Sequence, residues 1–249
     1  MNPKNRKIFN KLLNENKVSK KNVYDLSPNS LFNDDIIEGI KVLLSKKITM
    51  GNITKKFEEE FSKYIGTKYA LMVNSGSSAN LLALFGLINP LKKNKLKFGD
   101  EVLIPALCWS TSLWPIVQSG LKPKFIDIDK KTLNISIEQI KKKITKKTKA
   151  IIVVHLYGHP SNMTRILNIA KKRKIKIIED CAEALGSYYR KKHVGRFGDV
   201  STFSFFGNKL ITTGEGGMIC FKSKIHRDKA EILRDHGMSK NLKYWHEEI

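Results

Sequence analysis

Apolar residues along this chain first recur at a helical period and then gather into short unbroken runs. Over Asp34–Ser45 the positions Ile36, Ile37, Ile40, Val42 and Leu43 are apolar, and over Ile53–Tyr64 so are Phe57, Phe61 and Tyr64; both segments predict helices. From Tyr69 onward the period changes. Compact, β-branched runs at Tyr69–Val73, Glu101–Ile104, Lys124–Asp127, Ala150–His155, Lys174–Glu179 and Val200–Ser204 predict strands. Helical patterns fall between them at Ser78–Leu87, Ser110–Ser119, Ile137–Ile144 and Met163–Lys172. Glycine and proline punctuate the joins, as at Gly120–Pro123 and Gly158–Pro160. Strand and helix in alternation predict an α/β fold, a mainly parallel sheet covered by helices. Residues 1–40 read as mostly polar and irregular, with a turn at Ser27-Pro28. The sequence shows neither an internal repeat nor a low-complexity linker.

Four segments carry candidate chemistry. The aromatic run from Ser201 to Phe206 reads as a buried strand that stops at Lys209, ahead of the glycine-rich turn Gly214-Glu215-Gly216-Gly217. A lysine at the end of a buried strand is partly desolvated, which disfavours its ammonium form and leaves a nucleophilic amine. Such an amine suits covalent chemistry with a carbonyl. Upstream, Ile175–Glu179 ends in Asp180. A strand-end carboxylate is either the N-cap of a following helix or faces a ligand at the sheet edge. A third segment, Tyr69–Val73 followed by Asn74-Ser75-Gly76-Ser77-Ser78, runs a strand through a small-residue turn into a helix, which is an anion site in outline. In the fourth, Trp109 follows the strand Glu101–Ile104, and its ring is either core or a stacking face for a planar ligand.

Taken together and in this order, these segments resemble the sugar aminotransferases of the DegT/DnrJ/EryC1/StrS family. The resemblance runs from about Ser45 to the chain end. It rests on Glu179–Ser187 (EDCAEALGS), Phe197–Lys209 (FGDVSTFSFFGNK), Thr212–Met218 (TTGEGGM) and Arg234–Met238 (RDHGM). It implies pyridoxal 5'-phosphate as cofactor. It also implies the aspartate-aminotransferase-like large domain of fold type I, a mostly parallel, mixed seven-stranded sheet between helices. Lys209 matches the family's catalytic Schiff-base lysine, and Asp180 matches the catalytic partner of the pyridine nitrogen. Ser77, Ser78 and Ser204 match contacts to the cofactor phosphate, and Trp109 matches the residue stacked on the ring. Glu183 stands beside the cofactor's phenolic oxygen, where the family usually has Gln or His. A related branch, the nucleotide-sugar 3-dehydrases, carries His in place of the lysine. Lys209 therefore favours the aminotransferase, although Asn74–Leu84 and Asn89–Asp100 look somewhat like the dehydrase branch.

The resemblance further implies a substrate and an assembly. The implied reaction moves an amino group from glutamate to a keto-deoxysugar linked to a nucleotide. Arg234–Trp245 looks most like the perosamine-type 4-aminotransferases. The implied assembly is a homodimer with a shared active site. Its domains would be an N-terminal segment with a helix over 1–44, the cofactor-binding large domain over 45–232, and over 233–249 the start of a connection to a smaller C-terminal domain. Family members continue past a segment like Lys243-Tyr244-Trp245, so a chain ending at Ile249 is expected to be a piece of a longer protein. A non-catalytic, cofactor-binding regulator is the remaining reading, and no DNA-binding module accompanies it.

Charge and composition narrow the alternatives. The formal charge of +23 would suit a nucleic-acid binder, but it comes from 39 lysines against 7 arginines spread over all 249 residues. The densest run, Lys141–Lys149, reads as a solvated helix end and loop, so no nucleic-acid partner is expected; the positive field would instead attract a diphosphate. No apolar stretch approaches the roughly 18 residues of a membrane span. Cys108, Cys181 and Cys220 lack metal-ligand spacing, so no metal is expected, and a reduced, cytoplasmic protein fits best.

Overall fold

In the computed structural model, residues 3, 4, 6, 7, 11, 31–49, 51–88 and 96–238 are described. Most of the polar 1–40 stretch, part of Asn89–Asp100 and the Lys243-Tyr244-Trp245 segment lie outside the described residues. Residues 3, 4, 6, 7 and 11 are helical, and α1 (Asn33–Leu44) and α2 (Asn52–Ile65) lead to β1 (Tyr69–Val73). The chain then runs α3 (Gly76–Leu87), β2 (Glu101–Pro105), α4 (Ser110–Gln118), β3 (Lys122–Ile126), α5 (Ile137–Lys143) and β4 (Thr148–Val154). A 3-10 turn at Leu156–Gly158 leads to α6 (Met163–Arg173), β5 (Lys176–Asp180), a small hairpin of β6 (Tyr188–Tyr189) and β7 (Lys192–His193), β8 (Val200–Ser204), β9 (Gly217–Phe221) and α7 (Lys224–Arg234).

Seven strands form one sheet in the order β1-β9-β8-β5-β4-β2-β3. Five of them pair in parallel, and β9 runs antiparallel to both β1 and β8. Every strand except β9 therefore ends at the same edge of the sheet. This is the mixed, mostly parallel sheet that the resemblance implied. The strands read as continuous apolar runs because both faces are covered. Ala150, Ile152 and Val154 of β4 pack on one face with Val102, Ile104, Ile178 and the α3 residues Ala79, Ala83 and Leu84. Ile151 and Val153, one residue out of phase, pack on the other with Leu103, Ile177, Ile140 of α5 and Met163 and Ile166 of α6. Phe61 and Ile65 of α2 close that second face over Phe203, Met218 and Cys220.

Predicted elements are recovered within about two residues at each end, but β9, the β6–β7 hairpin and α7 were not anticipated. The five residues of β9 follow directly on Gly216 and carry no period. α7 is amphipathic, but two of its three buried residues, His226 and Glu231, are polar, so its buried face does not read as a hydrophobic stripe. β8 ends at Ser204, as predicted; Phe205 N–H still donates to Gly216 O in register with β9, but its carbonyl accepts from Thr213 N–H instead, so the aromatic run does not continue as strand toward Lys209.

Two glycines allow the close approach of segments at the shared edge. A Cβ on Gly76 would lie 2.7 Å from Ser204 Cβ, and one on Gly217 would overlap the carbonyl oxygen of Ser75 and lie 2.8 Å from Gly76 N. In the second case the obstructing atoms are backbone, which has no rotamer to yield. Gly217→Ala is expected to destabilise the fold by about 3 kcal/mol, read as a lower urea midpoint at unchanged slope.

Candidate active site

The helix α3 begins where β1 ends. Ser75 caps it by accepting from Ser78 N–H at 3.1 Å, and Ala79 N–H bonds to Ser75 O. The amides of Gly76 and Ser77 precede the first internal bond of the helix, so they and the positive end of the helix dipole are directed at the sheet edge. A cavity of about 430 Å³ opens there, lined by Ser75, Gly76, Ser77, Trp109, Asp180, Glu183, Ser204, Asn208 and Lys209 among others. It lies at the carboxyl ends of β1, β4, β5 and β8, where open α/β sheets bind their ligands. Its volume lies within the range of small-ligand pockets.

Asp180 forms the floor and is almost wholly buried. Its Oδ2 accepts from Ser112 Oγ at 2.7 Å and from Asn80 Nδ2 at 3.0 Å, and its Oδ1 accepts from Ala182 N–H at 3.1 Å. Asn80 is itself oriented by Thr202, whose hydroxyl donates to Asn80 Oδ1 at 2.6 Å. Three elements, α3, α4 and β8, thus converge on one carboxylate. No helix starts after Asp180, so its bond to Ala182 closes a turn rather than capping a helix. Beside it, burial and the charge of Asp180 push the Cys108 thiol up to about 11, which keeps that sulfur neutral at physiological pH.

Lys209 enters the cavity from the loop beyond β8, five residues past the strand end, and its side chain is 22% exposed. Its Nζ lies 4.0 Å from Glu183 Oε1. Trp109, at the N-terminus of α4, is 75% exposed, which rules out the core reading of its ring. Ser77 and Ser204 line the cavity, whereas Ser78 faces a different hollow between α3 and α7, and its hydroxyl bonds to Ser75 Oγ at 3.1 Å. Of the sequence-selected residues, then, Ser78 alone stands away from the cavity. Asn80, Ser112 and Thr202 escaped notice in the sequence. Each stands among other small polar residues (Ser77 and Ser78, Ser110 and Thr111, Ser201 and Ser204), so nothing local singled it out.

The sequence description of the DegT/DnrJ/EryC1/StrS aminotransferase family matches residues 31–249. The chain belongs to this family. It is 46% identical over 199 residues to the GDP-perosamine synthase of Escherichia coli O157:H7, covering 80% of this chain and 53% of that protein. It is 45% identical over 201 residues to the GDP-4-keto-6-deoxy-D-mannose 3-dehydratase of Escherichia coli O55:H7, covering 81% of this chain and 52% of that one. A crystal structure of GDP-4-keto-6-deoxymannose-3-dehydratase with a trapped PLP–glutamate geminal diamine superposes with a TM-score of 0.83 at 42% identity, over 88% of this chain and 57% of its own. The chain spans about half the length of the curated relatives it matches. No helix among the described residues is long and apolar enough to cross a membrane.

In this family member the cavity floor depends on a second carboxylate, one residue before Asp180 and on the opposite face of the sheet. Glu179 is fully buried. Its Oε1 accepts from the amides of Phe197 (2.8 Å) and Gly198 (2.6 Å), and its Oε2 from Gly195 N–H (2.8 Å) and His155 Nε2 (3.0 Å). Because His155 Nδ1 accepts from Ser161 N–H, the ring proton sits on Nε2 and is donated to Glu179. Burial alone would raise the Glu179 carboxyl, but the His155 bond and the backbone amides of Gly198 and Gly195 outweigh it and hold the group below the usual glutamate value. His155, Glu179 and Cys181 lie within 4.8 Å of one another, yet both ring nitrogens of His155 and both oxygens of Glu179 are already occupied by these bonds, so the trio is structural. The stabilisation is complete above the ordinary glutamate value of about 4.3 and is lost as pH falls through the lower folded value. Glu179→Gln is expected to cost about 3 kcal/mol and to flatten the fall in urea midpoint between pH 5 and roughly pH 3.

Proposed function

We propose that this chain is the cofactor-binding part of a pyridoxal-phosphate-dependent aminotransferase that moves an amino group from glutamate to a nucleotide-linked keto-deoxysugar. The observation that carries this reading is the convergence of a lysine amine, a fully hydrogen-bonded carboxylate and a helix N-terminus on one cavity. The residues present fit the cofactor. The amides of Gly76 and Ser77 and the hydroxyls of Ser77 and Ser204 suit a phosphate, in a cradle that a Cβ at Gly76 would fill. Ser78 supports that cradle through its bond to the capping Ser75.

When bound, pyridoxal phosphate supplies an aldehyde and an electron-withdrawing ring. Asp180 holds a proton at the ring nitrogen, and Asn80 and Ser112 keep its carboxylate aimed there. Trp109 offers its exposed face for stacking. Lys209 Nζ would be the amine that holds the cofactor's aldehyde, and as a free amine it would serve as the general base and acid that moves the substrate proton.

The names of the similar proteins support a GDP-linked sugar substrate and glutamate as donor. They divide between an aminotransferase and a 3-dehydratase, and the dehydratase is the second reading. Lys209 supports the aminotransferase, since it stands where the dehydrase branch has histidine. A cytoplasmic homodimer with the site shared between subunits completes the proposal.

Borohydride reduction of the protein with pyridoxal phosphate, followed by peptide mass spectrometry, tests it. The expected result is a phosphopyridoxyl group on Lys209, absent from Lys209→Ala. An unmodified Lys209 in the folded wild-type protein overturns the assignment. With the sugar substrate added, an amino-sugar product marks the aminotransferase and a 3-deoxy product the dehydratase.

A further inference from the structure

Glu183 is held in a manner that its own exposure does not require. Its carboxylate is 40% exposed, so water could satisfy it, yet Oε2 accepts the backbone N–H of Tyr157 at 2.9 Å. Tyr157 occupies the left-handed region at φ 51° and ψ 31°, which is unfavourable for an aromatic residue. Its ring is 74% exposed, so side-chain packing does not account for that backbone. What the left-handed turn delivers is its N–H, aimed at Glu183. Two further contacts lock the turn to the Glu183 segment. Ser187 Oγ donates to Gly158 O at 2.7 Å, and Gly158, at φ 77°, approaches so closely that a Cβ there would lie 3.1 Å from Glu183 O.

The other oxygen, Oε1, faces Lys209 Nζ at 4.0 Å. This is an ion-pair distance but too long for a hydrogen bond. Asp180 from β5, His155 after β4 and Glu215 before β9 also line the cavity, but among the described residues Glu183 is the one carboxylate in ion-pair range of Lys209.

We propose that Glu183 is a positioning residue for Lys209: the Leu156–Gly158 turn fixes its carboxylate so that Oε1 holds the lysine ammonium in the cavity without a hydrogen bond that must break before Nζ reacts. The proposal rests on the reading of Lys209 as the amine that takes pyridoxal phosphate. Its consequence is that capture of pyridoxal phosphate by Lys209 depends on the charge at Glu183.

Glu183→Gln keeps the shape and an acceptor for Tyr157 N–H but removes the charge. The test is the cofactor concentration needed to trap pyridoxal phosphate on Lys209 with borohydride, quantified by peptide mass spectrometry for wild type, Glu183→Gln and Glu183→Asp. The expected result is that half-maximal trapping on Lys209 needs about two- to fivefold more cofactor in Glu183→Gln than in wild type. Glu183→Asp, which retains the charge, should fall nearer to wild type. Unchanged circular dichroism is expected for both. Trapping on Lys209 with the same concentration dependence in wild type and Glu183→Gln overturns the role of Glu183 while leaving the cofactor assignment standing. No adduct on Lys209 in any of the three proteins overturns the cofactor assignment, and this proposal with it.

Discussion

A carboxylate sealed from water in the middle of a sheet is costly unless every lone pair is occupied. Glu179 meets that condition with three backbone amides and one imidazole N–H. The groups that satisfy it belong to two separate loops: Gly195–Gly198 leads into β8, and His155–Ser161 follows β4. Each loop begins or ends a strand that contributes to the cavity edge. Holding Glu179 charged and holding those loops in place are therefore the same requirement.

Strand geometry converts this structural carboxylate into a functional neighbour. Successive residues of a strand face opposite sides of the sheet. With Glu179 committed to the loop side, Asp180 must face α3 and α4, where Asn80, Ser112 and, through Asn80, Thr202 receive it. One residue pair at the end of β5 thereby serves two faces: one anchors the frame, the other presents a carboxylate to the cavity.

The cavity itself is assembled from chain ends rather than from any one element. Parallel pairing brings the ends of β4, β5 and β8 to a single edge, and β9, antiparallel to both β8 and β1, adds the end of β1 and returns Glu215 to it. Gly76 and Gly217 let the α3 turn, the end of β8 and the start of β9 approach to contact. In this chain, a member of the DegT/DnrJ/EryC1/StrS family, the small-residue turns thus stand where backbone N–H groups and a lysine-bearing loop share one space.

Much was legible in the sequence because its signals are local. The β-branched runs Ala150–Val154 and Ile175–Glu179 declare buried strands by composition, and their alternation with helices declares the α/β class. Lys209, Asp180, Ser77, Ser204, Glu183 and Trp109 stand in motifs read along the chain. The parts that were not legible depend on groups far apart in sequence. Nothing local says that Asn80 and Ser112 meet Asp180, that Ser78 turns away from the cavity, or that Glu179 gathers the amides of residues 195–198. The short β9 and α7, whose buried face includes His226 and Glu231, are stabilised by what they pack against. By itself the sequence determined the class of fold and marked most of the candidate residues that line the cavity, because propensity, pattern and motif act over a few residues. Only the tertiary structure decided which polar groups share a buried space and which carboxylate faces the lysine, because hydrogen bonds and packing act through space.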